Sequence, residues 1–214
     1  HVIRFFAKLP NALLELKTKS SNVDHLLELP HGGKTVISWS INPKAIVEKE
    51  EHKTARLNER LEAARKVSDA GYKVAFHFDP LIHYPDWEKG YQELVEQILD
   101  AVPSDRIAWV SLGSLRYISS LKSVVDERFP NSRVFLGEFV TGEDGKMRYL
   151  KKIRQRLFRN VQQKITQLAP QIPTYLCMEN SSVWKNTMPH QPQTAIDVES
   201  QIAGSLQQRF PIEV

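Results

Sequence analysis

Three segments of this chain alternate polar and apolar residues with a period of two, and they restrict the fold more than any other feature. In LLELKTKS, Glu15, Lys17 and Lys19 fall on one side and Leu14 and Leu16 on the other. In TVISWSIN, Ser38, Ser40 and Asn42 oppose Ile37, Trp39 and Ile41, and in KVAFHFDP, His77 and Asp79 oppose Phe76 and Phe78. Side chains of a strand point alternately to the two faces of its sheet, so each polar set shares a face. A sheet with one apolar face under helices and one polar face lines a site rather than a closed core.

Helical periodicity fills the intervals. Residues 55–70 place Leu57, Leu61, Ala64 and Val67 on one face, with Gly71 suited to cap the C-terminus. WEKGYQELVEQILDAV turns Tyr91, Leu94, Ile98 and Leu99 inward, and YISSLKSVVDERF reads as a third long helix. RIAWVSLG, SRVFLGEFV and TYLCMEN read as the fourth, fifth and sixth strands, and Lys146 to about Leu168 as a basic helix. Strand and helix in steady alternation predict βαβ units and a parallel sheet. Parallel strands covered on both faces are usually apolar throughout, so polar faces predict a curved, partly closed barrel with those faces in the lumen. The expected fold is therefore α/β, a partial (β/α) barrel over residues 1–179, followed by a tail, residues 180–214, that carries a short helix.

The charge balance, +4 with a pI near 9.1, permits an anionic partner without demanding one. No apolar run approaches the roughly 20 residues that span a bilayer. The single cysteine, Cys177, excludes an internal disulfide and any multi-cysteine metal site, and it suggests a reducing, cytoplasmic setting. The chain starts at His1 with no signal-peptide pattern and reads as part of a longer protein.

Several constellations carry chemistry. Lys17 and Lys19 near a strand end suit a carboxylate or phosphate at the C-terminal mouth of a parallel sheet. Ser40 and Asn42 donate and accept hydrogen bonds and suit a zwitterionic or hydroxylated ligand. His77, Asp79 and His83 offer a metal-dependent hydrolase as an alternative, although a His–Asp hydrogen bond would also satisfy the two inward groups. Ser111, Gly113 and Arg116 suit an anion at the mouth. Glu138 and Glu179 end strands, and Cys177 shares the face of Glu179; a thiol in a polar lumen can quench a radical, which makes Cys177 the one catalytic candidate. The segment from Lys146 onward, with Arg148, Tyr149, Lys151, Lys152, Arg154, Arg156 and Arg159, contains no acidic residue and suits phosphate contacts with base stacking. A non-catalytic nucleic-acid-binding module is the other alternative.

KTKSSNVDHLL, TVISWSINP and RLEAARKVSDAGYKVAFHFDP together resemble the spore photoproduct lyase family, radical S-adenosylmethionine enzymes that repair a thymine photodimer in DNA. The likeness runs from about Ala12 to Glu179. It implies that Lys19 contacts the carboxylate of S-adenosylmethionine and that Ser40 and Asn42 contact its methionyl part and ribose. It implies that Asp79 lies near the adenine, where the family has a small residue. It further implies that Lys146, Arg148, Tyr149, Lys151, Lys152 and Arg156 meet DNA, although this segment reads as a helix where the family has a hairpin. The three-cysteine loop that binds the family's [4Fe–4S] cluster, and its hydrogen-donating cysteine, have no counterpart here, and Cys177 does not match that donor. The expected function is that of a lyase-like protein acting on DNA with S-adenosylmethionine, a cluster held by residues outside this chain, and a protein electron donor. This chain alone is expected to be inactive.

Overall fold

The computed structural model describes residues 1–189 and 195–210. Its centre is a five-stranded parallel sheet. A short helix α1 (Val2–Phe6) leads to β1 (Leu14–Thr18), and a single 3₁₀ turn at Asp24–Leu26 connects to β2 (Thr35–Ser40). Helices α2 (Lys44–Glu50) and α3 (Leu57–Asp69) precede β3 (Lys73–Leu81), and α4 (Trp87–Ala101) precedes β4 (Ile107–Ser114). Next come β5 (Arg116–Tyr117), α5 (Ser119–Arg128), β6 (Phe139–Thr141) and β7 (Met147–Tyr149). Then follow α6 (Lys151–Leu168), β8 (Thr174–Leu176), α7 (Ser181–Trp184) and α8 (Ala195–Arg209). The strands are parallel, as the βαβ reading predicts, and lie side by side in the order β1-β2-β3-β4-β8.

The outer face is the apolar one. Ile37, Trp39 and Ile41, with Val74, Phe76 and Phe78 and with Val110 and Leu112, are buried under the helices. The inward stripe of α3 and that of α4 join this core, with Tyr91 fully buried and Leu99 partly so. Gly71 ends α3 at φ +88°, a conformation that costs an L side chain steric strain, and Tyr72 N closes the cap on Val67 O at 3.0 Å.

The inner face is divided. Its lower rows are apolar: Val36, Ala75 and Trp109 form a second cluster, and Ile202, Leu206 and Phe210 at the end of the chain pack over it. Arg209 ties α8 down by donating to Ser104 O at 2.8 Å. The upper rows are polar and hold the candidate site.

Two expectations need correction. SRVFLGEFV is not a fifth parallel strand: only Phe139–Thr141 is extended, and it pairs antiparallel with Met147–Tyr149 in a separate three-stranded sheet. The basic segment does not begin as a helix: residues 139–149 form a hairpin turning at Gly142 and Gly145, and the helix starts at Lys151. A turn supplied by two glycines outweighs the helical preference of the residues that follow it. The third long helix forms as expected, as α5, and has no buried residue, unlike α3, α4 and α6.

Candidate functional site

Strand register sets the upper inner face. Ser40, His77, Ser111 and Tyr175 are successive partners across β2, β3, β4 and β8 and form one row, and Lys17 is partnered with Ser38 in the row below. His77 is buried, and its Nε2 lies 2.6 Å from Glu15 Oε1. Burial opposes ionisation of Glu15, but the hydrogen bond with His77 and the charges of His77 and Lys17 outweigh it and hold the carboxyl below its ordinary range. The Ser40 hydroxyl donates to Asp79 O at 3.1 Å, and Lys17 Nζ stands 3.9 Å from the Asp79 carboxylate. That carboxylate lies over Gly113, with Oδ1 2.5 Å from the point a Cβ would occupy, so a side chain at 113 would displace it.

A second group surrounds Lys19, just beyond β1. Its Nζ is 2.9 Å from Glu51 Oε1, which also accepts from Asn42 Nδ2 at 3.0 Å. Glu51 Oε2 accepts from the fully buried Arg60 at 2.6 Å, and Arg60 donates to Ser40 O at 3.0 Å as well. The Asn42 carbonyl accepts from Tyr91 OH at 3.0 Å. Burial opposes ionisation of Glu51, but bonds from Lys19, Asn42 and Arg60 keep its carboxyl below the usual range. Lys19 remains one-third exposed, whereas Asn42 is 1% exposed with its amide engaged at both ends. Asn42 therefore orients Glu51 and presents no free group to the lumen.

The mouth holds a cavity of about 200 Å³ lined by Asp79, Ser114, Arg116, Arg148, Cys177 and Glu179 among others. Cys177 is a free, half-buried thiol. Burial and the neighbouring Asp79 carboxylate push its pKa up, which keeps it a thiol. Glu179 is buried and bound by the buried Arg154 at 2.8 Å, with its second oxygen unpartnered. Arg116 and Arg148 face one another across β5 and β7 and share Asp144.

The basic segment divides into different roles. Lys151 and Lys152 are exposed, and Lys146 is half-buried. Arg156 pairs with Glu88 at 2.9 Å and covers the Trp87 ring. Tyr149 is fully buried, stacked on Phe139 at 4.5 Å, and its hydroxyl accepts from His83 N at 3.1 Å. A base cannot stack on a ring so enclosed, so Tyr149 braces the hairpin. The His77, Asp79 and His83 metal set is not assembled: His77 is engaged by Glu15, and His83 packs against Trp87 and Tyr149. Among the described residues no group of three His, Cys, Asp or Glu is placed to hold a metal ion, and no helix is long and apolar enough to cross a membrane.

The family model described as spore photoproduct lyase matches residues 1–175. The chain belongs to the spore photoproduct lyase family. It is 34% identical over 139 residues to the spore photoproduct lyase of Geobacillus sp. (strain Y412MC61) and 33% over 138 residues to that of Bacillus subtilis (strain 168). Each match covers 64% of this chain and 40% of the relative, so the chain spans well under half the length of these relatives. A solved spore photoproduct lyase complexed with dinucleoside spore photoproduct superposes with a TM-score of 0.74 at 29% identity, over 82% of this chain and 54% of that one. A variant with bound AdoMet and dinucleoside spore photoproduct superposes at 0.72, with 30% identity and the same coverage. The α/β fold with its parallel sheet is that of these enzymes, present in part.

Glu51, Arg60 and Tyr91, which tie Lys19, Ser40 and Asn42 together, are not distinguished by the sequence patterns. Glu51 sits in the charged run EKEEHK, where only an unpaired acidic residue shortly after SIN hints at a partner for Lys19.

Proposed function

We propose that this chain is the cofactor-orienting part of a lyase that uses S-adenosylmethionine to reverse a thymine photodimer, the spore photoproduct, in DNA. The observation that carries this reading is the charge pattern of the upper inner face. Two ammonium groups, Lys17 and Lys19, stand among the carboxylates of Glu15, Glu51 and Asp79 at the mouth of the sheet. Such a face complements a zwitterion, and S-adenosylmethionine carries a carboxylate beside an ammonium and a sulfonium. In this reading Lys19 holds the carboxylate, Ser40 sets the backbone under the methionyl part, and Asn42 acts through Glu51. Asp79 faces the sugar or base with hydrogen-bond acceptors. When bound at a reduced cluster, S-adenosylmethionine supplies a 5′-deoxyadenosyl radical, and the residues named here bind and orient it.

One cysteine does not fit a [4Fe–4S] cluster, so these residues hold only the organic part of the cofactor. On this reading the chain by itself binds without cleaving. Lys146, Arg148, Lys151 and Lys152 on the hairpin and the first turn of α6 are the proposed DNA contacts, and an electron-donor protein is a further partner. The half-buried Cys177 thiol lines the mouth cavity and is the one catalytic candidate of this chain, at a position that does not match the family's hydrogen-donating cysteine. A free thiol and a DNA substrate both suit the cytoplasm.

A thermal-shift titration with S-adenosylhomocysteine, a stable relative of the cofactor, tests the proposal. Saturation at about a hundred times Kd should add roughly 2.7 kcal/mol and raise the midpoint by several degrees. An unchanged midpoint at millimolar ligand would count against a cofactor site on this face.

A further inference from the structure

The hairpin carries a feature that neither cofactor binding nor folding requires. Arg116 and Arg148 are direct cross-strand partners, so two guanidinium groups sit side by side, an arrangement that is unfavourable without an anion between them. Asp144, in the hairpin turn, supplies it. One carboxylate oxygen accepts from Arg116 Nη1 at 2.9 Å, and the other accepts from Arg148 Nη2 and from Lys146 N at 3.2 Å.

The pair is built rather than incidental. Arg148 lies flat over Gly142, and a Cβ there would stand 2.3–2.6 Å from the guanidinium. Arg148 Nε is buried and without a partner, so the fork holds a donor that Asp144 does not use. Both arginines line the mouth cavity. The other charges on that cavity are already balanced, Glu179 by Arg154 and Asp79 by Lys17. Arg116, Arg148 and Asp144 therefore leave one net positive charge at its edge. Two arginines gripping one carboxylate reproduce the geometry with which guanidinium groups grip a phosphodiester.

We propose that Asp144 is an internal stand-in for phosphate: it occupies the Arg116–Arg148 fork in the free chain and is displaced by a nucleic-acid phosphodiester. The inference rests on the nucleic-acid reading above and adds to it a gate. Asp144 is more than one-third exposed, and its carboxyl is held below the ordinary range by the Lys146 amide and Arg148 despite partial burial. It is thus a charged but accessible competitor, and an incoming phosphate exchanges one anion for another without exposing bare guanidinium groups. The gate would favour a polyanion that offers several phosphates over a single small anion.

The test is a fluorescence-anisotropy titration of the whole chain with a short labelled oligothymidylate across salt concentrations, with inorganic phosphate as a separate probe. Asp144→Asn keeps the acceptor for Lys146 N and removes the charge; Asp144→Ser repeats the test should the asparagine disturb the turn. Binding should tighten about threefold to tenfold at low salt, with a salt slope steeper by about one. The double variant Asp144→Asn/Arg116→Gln should return to the wild-type level. Equal or weaker binding by both Asp144 variants, with wild-type melting, would overturn the gate while leaving the wild-type binding, and so the nucleic-acid reading, in place. Absence of binding by every form would overturn that reading and the gate with it. Stabilisation of Asp144→Asn by phosphate with no gain for the oligonucleotide would assign the fork to a free anion and also overturn the proposal.

Discussion

Lys19 Nζ stands 2.9 Å from Glu51 Oε1, while the other oxygen of the same carboxylate is held at 2.6 Å by the fully buried Arg60. One acidic side chain thus joins a one-third-exposed ammonium at the lumen to a guanidinium inside the core. Glu51→Gln should leave Arg60 short of its counter-charge and destabilise the fold by about 3–5 kcal/mol, as measured by urea unfolding. A loss below about 1 kcal/mol would show that Arg60 is sufficiently held by Ser40 O, Ala55 O and Thr54.

Acid should unfold the chain through the same groups. Glu15 and Glu51 both have folded pKa values below the ordinary glutamate range. Their contribution is present above the unfolded-state pKa and is lost as pH falls through the folded values. The melting temperature should therefore hold from neutral pH to about 5 and drop below it. Glu51→Gln, already destabilised, should show a shallower acid drop; an identical slope would remove Glu51 from this account.

How much of this was legible in the sequence follows from which residues carry the signal. The period-two alternation of Thr35–Ser40 and of the following strand is local, and so are the helical stripes of α3 and α4; together they mark the βαβ units of a parallel sheet. Residues 139–149 mislead because their strands are three residues long, too short for a period to register, and the charged run beyond Tyr149 extends a helical pattern backward. The lower inner face is hidden for another reason. Ala75 and Trp109 become neighbours only after the register shift between β3 and β4, and their cover comes from the far end of the chain. Lys19 and Ser40 stand out as polar residues at strand ends, but Glu51 is one of several glutamates in a run, and its role depends on packing that brings Arg60 and Asn42 to it.

The thiol of Cys177 should be sluggish as a nucleophile. Burial and the Asp79 carboxylate raise its pKa, so at pH 8 less thiolate is present than in a free cysteine peptide. Iodoacetamide should alkylate it at least about threefold more slowly than the peptide, and Asp79→Asn should narrow that gap. Alkylation faster than the peptide would contradict the placement of Asp79 beside the thiol.

Arg154 and Glu179 form a second buried pair, with side chains 6% and 4% exposed. Arg154→Gln should cost about 3–5 kcal/mol by leaving Glu179 charged and unpaired, and adding Glu179→Gln should restore more than half of that. If the double variant were no more stable than the single one, lost packing rather than an orphaned charge would be the cause.

The central claim is that the polar inner face holds the amino-acid end of an S-adenosylmethionine-like ligand through Lys19. Isothermal titration of wild type and Lys19→Gln with S-adenosylhomocysteine and with 5′-methylthioadenosine, which lacks the carboxylate, tests it most directly. The account predicts that Lys19→Gln weakens S-adenosylhomocysteine binding about tenfold to a hundredfold, the worth of a charge-assisted hydrogen bond, and leaves 5′-methylthioadenosine within about twofold. No binding of S-adenosylhomocysteine by the wild-type chain, or equal losses for both ligands in the variant, would contradict it.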